Sequence, residues 1–350
     1  MLTRFTDKFI QRVAFVIMLC MVMVACSDSD DDAVGTEDVS VAFTLTVADA
    51  ASTRAENDGW DDYSPAQDGI LNENLVNTDD IIIAIYDDKG NKVDNVEDLR
   101  VTTVSYPSIT GATMYAITGV WRNAKPNVDK AKRVMVIANS NVSAWGDPSL
   151  LTYDLNPGKR KYIPMWGVVK IPATLTLGKQ NKLPNIQMLR AMAKVSVSLR
   201  TDMTTYGYAI GSMTVNNYNT KGYCVPKTFN EVDNTSEVRF ANSLNVLDSH
   251  ADKIALPTTA PLYLPEYDNS GTNPTTITVN LNRNGTLEGT YTLYFRNYDS
   301  DGKPTGSTYP IQRNHYYQYL IYKETGKIIV TLHVRKWNRR IYPENDGIIM

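Results

Sequence analysis

Only three histidines occur, His250, His315 and His333, and none has a second histidine or a cysteine at metal-ligand spacing. His315 opens a polar and aromatic run with Tyr316 and Tyr317 and reads as structural. There is no G-x-S-x-G elbow, no phosphate-binding glycine loop and no H-E-x-x-H helix. Asp28, Asp30 and Asp32 match the first three ligand positions of a calcium loop. However, Ala33 stands where that loop needs glycine for its turn, and Val39 where it needs a bidentate glutamate. Nothing singles out one carboxylate pair among 38 acidic residues for glycoside hydrolysis. Trp60, Trp121, Trp145, Trp166 and Trp337 would suit a sugar-stacking platform, but tryptophans of this kind more often fill a core. The chain is therefore expected to be no enzyme, with no catalytic residue, metal ligand or cofactor.

The remaining reactive positions lie near the N-terminus. Arg4, Lys8 and Arg12 precede an apolar run over 13–25. A spanning helix needs about 20 apolar residues, so this run is short for a membrane crossing and fits a secretory signal. It ends in Met23-Val24-Ala25-Cys26, which resembles a bacterial lipobox with Met23 where leucine is usual. In such a motif the cysteine is acylated and becomes the first mature residue, so Cys26 is the expected lipidation site. Each buried methylene contributes about 0.8 kcal/mol, and more than one acyl chain makes a stable anchor. The run Ser27-Asp28-Ser29-Asp30-Asp31-Asp32 resembles the acidic tract that directs lipoproteins of Bacteroides-group bacteria to the outer face of the outer membrane. With Cys26 acylated, Cys224 has no partner within the mature chain, so no disulfide framework is expected.

These features need a body to carry them. A chain of 350 residues is long enough for a sizeable core and suggests two domains. The net charge of −3 comes with no basic stripe, which argues against a nucleic-acid partner. Tyrosine outnumbers phenylalanine 21 to 7, which suits a surface protein whose aromatic rings are buried while their hydroxyls stay wet. Short β-branched and aromatic runs recur over 81–86, 101–106, 114–118, 133–138, 194–199, 276–281, 290–295, 316–322 and 328–334. Many alternate apolar with polar residues, as strands with one buried face must. In 194–199, Val195, Val197 and Leu199 lie on one face and Lys194, Ser196 and Ser198 on the other. Short helices are predicted only over 121–132, with Pro126 interrupting, and over 241–249. The pattern predicts an all-β chain built of β-sandwiches, with its internal boundary in the turn-rich stretch 178–184.

The segment ahead of this body is the informative one. From residue 13 to 53 there is no lysine or arginine. Within it Val39, Val41, Phe43, Leu45 and Val47 alternate with Ser40, Ala42, Thr44 and Thr46, a strand with one core-facing stripe. Five such side chains at roughly 1.5–3 kcal/mol each give about 10 kcal/mol of gross burial, an upper bound. Small and polar residues follow, then Arg54-Ala55, then a polar acidic stretch to Asp68. An isolated arginine in such a segment is either an ordinary loop residue or the target of an arginine-specific protease.

Together these features resemble the fimbrillins, the subunits of type V pili of Bacteroides-group bacteria, over essentially the whole chain. The resemblance rests on the lipobox with its acidic run and on Thr53-Arg54-Ala55 after an alternating strand. Further motifs are Ile163-Pro164-Met165-Trp166-Gly167, Leu189-Arg190-Ala191-Met192-Ala193-Lys194-Val195 and Leu262-Tyr263-Leu264-Pro265-Glu266. Ile311-Gln312-Arg313-Asn314-His315-Tyr316-Tyr317 and Trp337-Asn338 complete the series. The resemblance implies two tandem transthyretin-like β-sandwich domains. It divides the chain into a signal peptide over 1–25, a propeptide with an exchangeable first strand over 26–54, and domains over 55–183 and 184–350. It further implies transport as a lipoprotein to the outer membrane and cleavage between Arg54 and Ala55 by an arginine-specific protease. The emptied groove would then take a strand from a neighbouring pilus subunit, in a head-to-tail homo- or hetero-polymer that supports adhesion.

Losing the stripe would leave an apolar groove between open strand edges, a template for strand addition. One protomer gives and the next receives, so the contact propagates. By family precedent the donor lies near the C-terminus, where Ile328, Val330, Leu332 and Val334 make a suitable stripe. That strand could equally belong to the body of the second domain, and the residues beyond carry Pro343 and Gly347 and read poorly as one long strand. A short or broken donor would favour a minor or tip adhesin, the alternative to a structural pilus subunit. A permanently lipidated, glycan-binding surface protein is the alternative from another class.

Overall fold

The computed structural model describes residues 36–47, 71–105, 113–141, 151–154, 162–171, 173–226, 229–231, 238–240, 250–256 and 261–336. Cys26, the acidic run, Arg54, Ala55, Trp60, Trp145, Trp337, the helix predicted over 241–249 and the tail 337–350 lie outside the described residues.

The first half of the chain supplies β1 (Val39–Val47), β2 (Ile81–Tyr86), β3 (Lys92–Asn95), β4 (Glu97–Ser105), β5 (Thr113–Trp121) and β6 (Arg133–Ala138). After these come β7 (Thr152–Asp154), β8 (Met165–Lys170), β9 (Gln180–Lys182) and β10 (Ile186–Arg190). The second half supplies β11 (Met192–Leu199), β12 (Tyr208–Asn219), β13 (Lys221–Tyr223), β14 (Phe229–Glu231), β15 (Val238–Phe240), β16 (His250–Leu256) and β17 (Leu262–Pro265). It closes with β18 (Thr276–Arg283), β19 (Thr286–Tyr294), β20 (Asn297–Tyr298), β21 (Pro304–Thr305), β22 (His315–Glu324) and β23 (Lys327–Lys336). The chain is all-β and sandwich-like, as its alternation predicts. The helix predicted over 121–132 is not formed. Trp121 still belongs to β5, Pro126 has no N–H to give a helix, and a single 3₁₀ turn, Val128–Lys130, is all that remains.

In the first half one sheet runs β3-β2-β6-β8-β10-β1-β5-β4, with β9 also paired to β1. Ile83 and Ile85 of β2, Val134 and Val136 of β6 and Met165 and Val169 of β8 share one core with side chains of β1, β5 and β10. The sheet therefore curls over a single apolar centre. The alternate residues of the same strands, Ala84, Met135, Ile137, Trp166, Val168 and Leu189, point the other way into a second cluster with Tyr153, Met192, Cys224 and Tyr316. Burial on both faces explains why 81–86 and 133–138 read as nearly unbroken apolar runs.

In the second half the sheets β17-β11-β22-β23 and β16-β12-β18-β19 face each other. Val195, Leu264, Tyr317, Tyr319, Ile321 and Val330 from the first meet Met213, Val215, Ile277, Val279 and Leu293 from the second in one core. Phe295 takes both Tyr317 and Tyr319 edge-on, with centroids 5.3 and 5.7 Å away. The chain passes from one set of sheets to the other at Ala191, between β10 and β11, later than the boundary expected between 183 and 184. Gln180–Lys182 falls in the turn-rich stretch 178–184, but it is a strand paired with β1.

The tyrosine-rich core makes the fold sensitive to alkali. Burial is the largest cause raising the phenols of Tyr267, Tyr298, Tyr317 and Tyr319, with Tyr298 pushed up to about 12. The unfolded chain loses its phenolic protons near pH 10, whereas the folded chain keeps them. Stability is thus whole below about pH 10 and falls as the pH rises from there through 12. Thermal melts across that range, read beside tyrosinate absorbance, are expected to show the midpoint dropping before the buried tyrosines ionise.

Candidate functional site

The site is the slot that holds β1. Its sequence, VSVAFTLTV, has the β-branched and aromatic content that favours a strand, and its alternation gives it a core face. Val39, Val41, Phe43, Leu45 and Val47 all point into the first core and are at most 1 % exposed. The other face is also covered. Ser40, Ala42, Thr44 and Thr46 are between 1 and 8 % exposed, so the strand is buried on both faces rather than on one.

Both edges of β1 are occupied. On one side it runs antiparallel to β5, from Val39 opposite Trp121 to Thr46 opposite Met114. On the other side it runs parallel to two strands in succession. Ser40 to Ala42 pair with Gln180 to Lys182 of β9, and Leu45 to Val47 pair with Ile186 to Met188 of β10. The gap between those strands is bridged by the Leu183 N–H, which donates to Ala42 O at 2.9 Å. The Thr44 hydroxyl donates to Asn185 Oδ1 at 2.8 Å, and Asn185 Nδ2 donates to Thr46 Oγ1 at 2.9 Å. Asn181 Nδ2 reaches Ser40 O at 3.1 Å. Two polar side chains on the outer face, Thr44 and Thr46, are thereby paired with Asn185, and the Ser40 carbonyl with Asn181, as burial requires.

At the mouth of the slot the chain enters through Glu37 and Asp38. Arg122 Nη1 meets Asp38 Oδ2 at 2.9 Å, and its Nη2 meets Asp98 Oδ2 at 2.5 Å. Asn123 N donates to Asp38 Oδ1 at 2.9 Å, and Gly178 N donates to Asp38 O at 2.8 Å. Lys125 Nζ lies 2.9 Å from Glu37 Oε1, and Lys125 N donates to Glu37 O at 3.1 Å. Local backbone sets this up. Asn123, just past the end of β5, has φ +50, a left-handed conformation that asparagine tolerates. Asp98 has φ +49 at an irregularity in the pairing of β4 with β5 between Glu97 and Arg100. The Asp98 and Asp38 carboxylates, in that order, raise the pKa of Arg122, and Glu37 raises that of Lys125.

The predicted residues fall into three groups. Val39, Val41, Phe43, Leu45 and Val47 come together in the slot, and Arg54, Ala55 and Cys26 lie outside the described residues. Ile328, Val330, Leu332 and Val334 lie on β23, which pairs with β22 along its whole length and packs the last three residues into the second core. Trp121 and Trp166 are buried, so neither presents a ring to a sugar. His315 is buried, with Nδ1 2.8 Å from Arg313 O. Among the described residues no group of His, Cys, Asp and Glu could hold a metal ion.

Two charged residues of the motifs, Arg190 and Lys194, form a seam between the two sets of sheets, and Arg313 ties loops within the second half; sequence reasoning missed both roles. Arg190 is buried and donates Nε to Glu73 O at 3.0 Å, Nη1 to Asn314 Oδ1 at 2.8 Å and Nη2 to Asn74 Oδ1. Glu73 Oε1 takes Lys194 Nζ at 2.9 Å and the Tyr263 hydroxyl at 2.6 Å. Arg313 Nε bonds Glu266 Oε2 at 2.7 Å, and its other nitrogens reach Cys224 O and Tyr223 O. Lys194 does point away from Val195 as predicted, but it is buried, not solvated. The available signal was charge: Arg190 and Lys194 stand in largely apolar strands, where a charge needs a partner.

No family model and no curated protein matches the sequence. Solved structures do. The tip fimbrial protein Mfa3 from Porphyromonas gingivalis, with C-terminal truncation, is 15% identical, and the match covers 86% of this chain and 100% of that one at a TM-score of 0.49. A fimbrial assembly protein from Parabacteroides distasonis is 14% identical, covering 84% of this chain and 94% of that one, also at 0.49. The solved structures to which this chain is similar thus include fimbrial proteins of Bacteroides-group bacteria, at low identity.

Proposed function

We propose that this chain is a structural, non-enzymatic subunit of a surface fimbria, exported as a lipoprotein acylated at Cys26 and held at the outer membrane until it matures. Cleavage by an arginine-specific protease between Arg54 and Ala55 separates β1 from the body. A neighbouring subunit then donates a strand to the slot, and repetition of this head-to-tail contact builds a pilus that supports adhesion. The observation that carries this reading is the seat of β1. It is the first strand among the described residues, yet it is buried on both faces between β5 and the β9–β10 pair. Its covalent link to the rest of the body runs only through residues 48–70, which contain Arg54. A single cut there leaves β1 held by packing and hydrogen bonds alone. Its departure opens two strand edges and five apolar pockets, which suit an incoming strand.

The stripe on β23 already fills the second core, and donating it would strip that core of Val330, Leu332 and Val334. On this reading the donor is the segment after Lys336 and not β23. The burial of Trp121 and Trp166 gives no support to a glycan platform. The test is N-terminal sequencing and gel analysis after arginine-specific cleavage. The wild-type chain is expected to begin at Ala55 and to form heat-labile ladders, whereas Arg54→Ala stays uncut and monomeric. Ladders of unchanged strength from an uncut Arg54→Ala chain would refute the proposal.

A further inference from the structure

We infer that Arg122, Asn123 and Lys125 form a carboxylate-reading clasp at the mouth of the slot, selecting incoming strands with an acidic residue directly ahead of their apolar stripe. The inference rests on the strand-exchange reading above and adds the chemistry of the partner to it. Three observations support it. The resident strand is led by Glu37-Asp38, and both carboxylates are engaged by Arg122, the Asn123 N–H and Lys125. The clasp also holds the backbone ahead of the stripe, through Lys125 N on Glu37 O and Gly178 N on Asp38 O. It therefore fixes where the strand begins as well as which charge leads it. Finally, the clasp belongs to the slot and the carboxylates to the plug. When β1 leaves it takes Glu37 and Asp38 with it, Arg122 keeps only Asp98 of its two carboxylate partners, and Lys125 loses Glu37.

The five pockets accept any alternating apolar strand of suitable size, so they discriminate weakly between donors and between registers. A slip of two residues would still place apolar side chains in pockets. A charge at the mouth resolves this, because only one register brings a leading carboxylate to Asn123 N and Arg122. The side chains of Arg122 and Lys125 are 45 % and 63 % exposed, so each ion pair is screened by salt and individually weak. Their effect is on choice of partner and on the rate of entry more than on total affinity. The partner this describes is a subunit whose donor segment begins with Asp or Glu and continues as an alternating apolar strand antiparallel to β5.

The experiment uses the full chain cut after Arg54, with labelled peptides as incoming strands. One peptide has the sequence of residues 37–47, and the other carries Glu37→Gln and Asp38→Asn. Exchange is followed by fluorescence anisotropy on the wild-type chain and on an Arg122→Gln, Lys125→Gln variant whose fold is checked by thermal melting. The wild-type chain is expected to favour the acidic peptide by about ten-fold at low salt, with the preference shrinking as salt rises. In the variant the two peptides bind equally. Should the double variant fail to fold, Lys125→Gln alone is expected to narrow the preference in part. Equal binding of both peptides to the wild-type chain, or a preference that survives in the folded variant, overturns the clasp while leaving strand exchange standing. If neither peptide enters the cut chain, strand exchange itself fails and the clasp fails with it.

Discussion

Phe43→Asp is expected to unfold the first set of sheets, and Phe43→Ala to cost it about 3–5 kcal/mol. Phe43 is the largest side chain of the stripe, has no solvent exposure and sits opposite Ile117 of β5 at the middle of the slot. It shares its cluster with Ile83, Val136, Met165 and Met188, which come from four other strands. Truncation to alanine removes the transfer free energy of the ring and leaves a cavity that β-strands paired on both sides cannot collapse to fill. Aspartate is worse, since its charge would lie in an apolar core with nothing to pair it. By contrast Thr44→Val, one residue away on the outer face, loses the hydroxyl's bond to Asn185 and is expected to cost only about 1 kcal/mol. Urea unfolding followed by near-UV circular dichroism separates these outcomes. A Phe43→Asp chain that unfolds at the wild-type midpoint would show that β1 contributes nothing to the core, and the slot could not be a functional site.

The contrast between those neighbours shows how much of the site the sequence discloses. The stripe is legible because alternation in VSVAFTLTV has one physical cause, a pleated strand with a buried face. What covers the other face is not legible. Asn185, which bonds both Thr44 and Thr46, lies 141 residues beyond the first of them, and nothing local ties the two together. For the same reason 178–184 reads as a linker: Gln180–Lys182 is short and polar, and only its pairing with β1 makes it a strand. The strand at 328–334 is visible as a stripe, but whether it fills its own core or a neighbour's depends on pairing with β22 that periodicity cannot report. The clasp is less visible still. Glu37, Asp38, Arg122 and Lys125 look like solvated charges, and only the register that sets Val39 opposite Trp121 brings them together. Arg190 and Lys194 did carry a signal, since charged residues inside apolar strands demand partners, but Glu73 gives no hint of being one of them.

Glu73 is the second position at which a single change should have a large effect. Its carboxylate is 1 % exposed and meets Lys194, itself 7 % exposed, while its backbone oxygen accepts from the buried Arg190. Burial, followed by the adjacent Glu73 carboxylate, holds the Tyr263 phenol far above its ordinary pKa, so that hydroxyl stays a donor to Glu73 at neutral pH. The segment 71–76 thus ties the chain that follows β1 to β10, β11 and β17, on both sides of the passage at Ala191. Glu73→Ala removes the carboxylate but leaves Lys194 in place, and the expected cost is about 3–5 kcal/mol because the buried ammonium then loses the Glu73 carboxylate. Charge, not packing, should dominate that loss. If so, Glu73→Leu combined with Lys194→Met should recover most of it, since an apolar pair of similar volume needs no desolvation of ions. A double-mutant cycle in urea gives the coupling directly, and hydrogen exchange at Ala191 and Met192 reports whether the seam opens. Additive losses in the cycle would mean that Glu73 and Lys194 act separately and that this ion pair does not help to join the two sets of sheets.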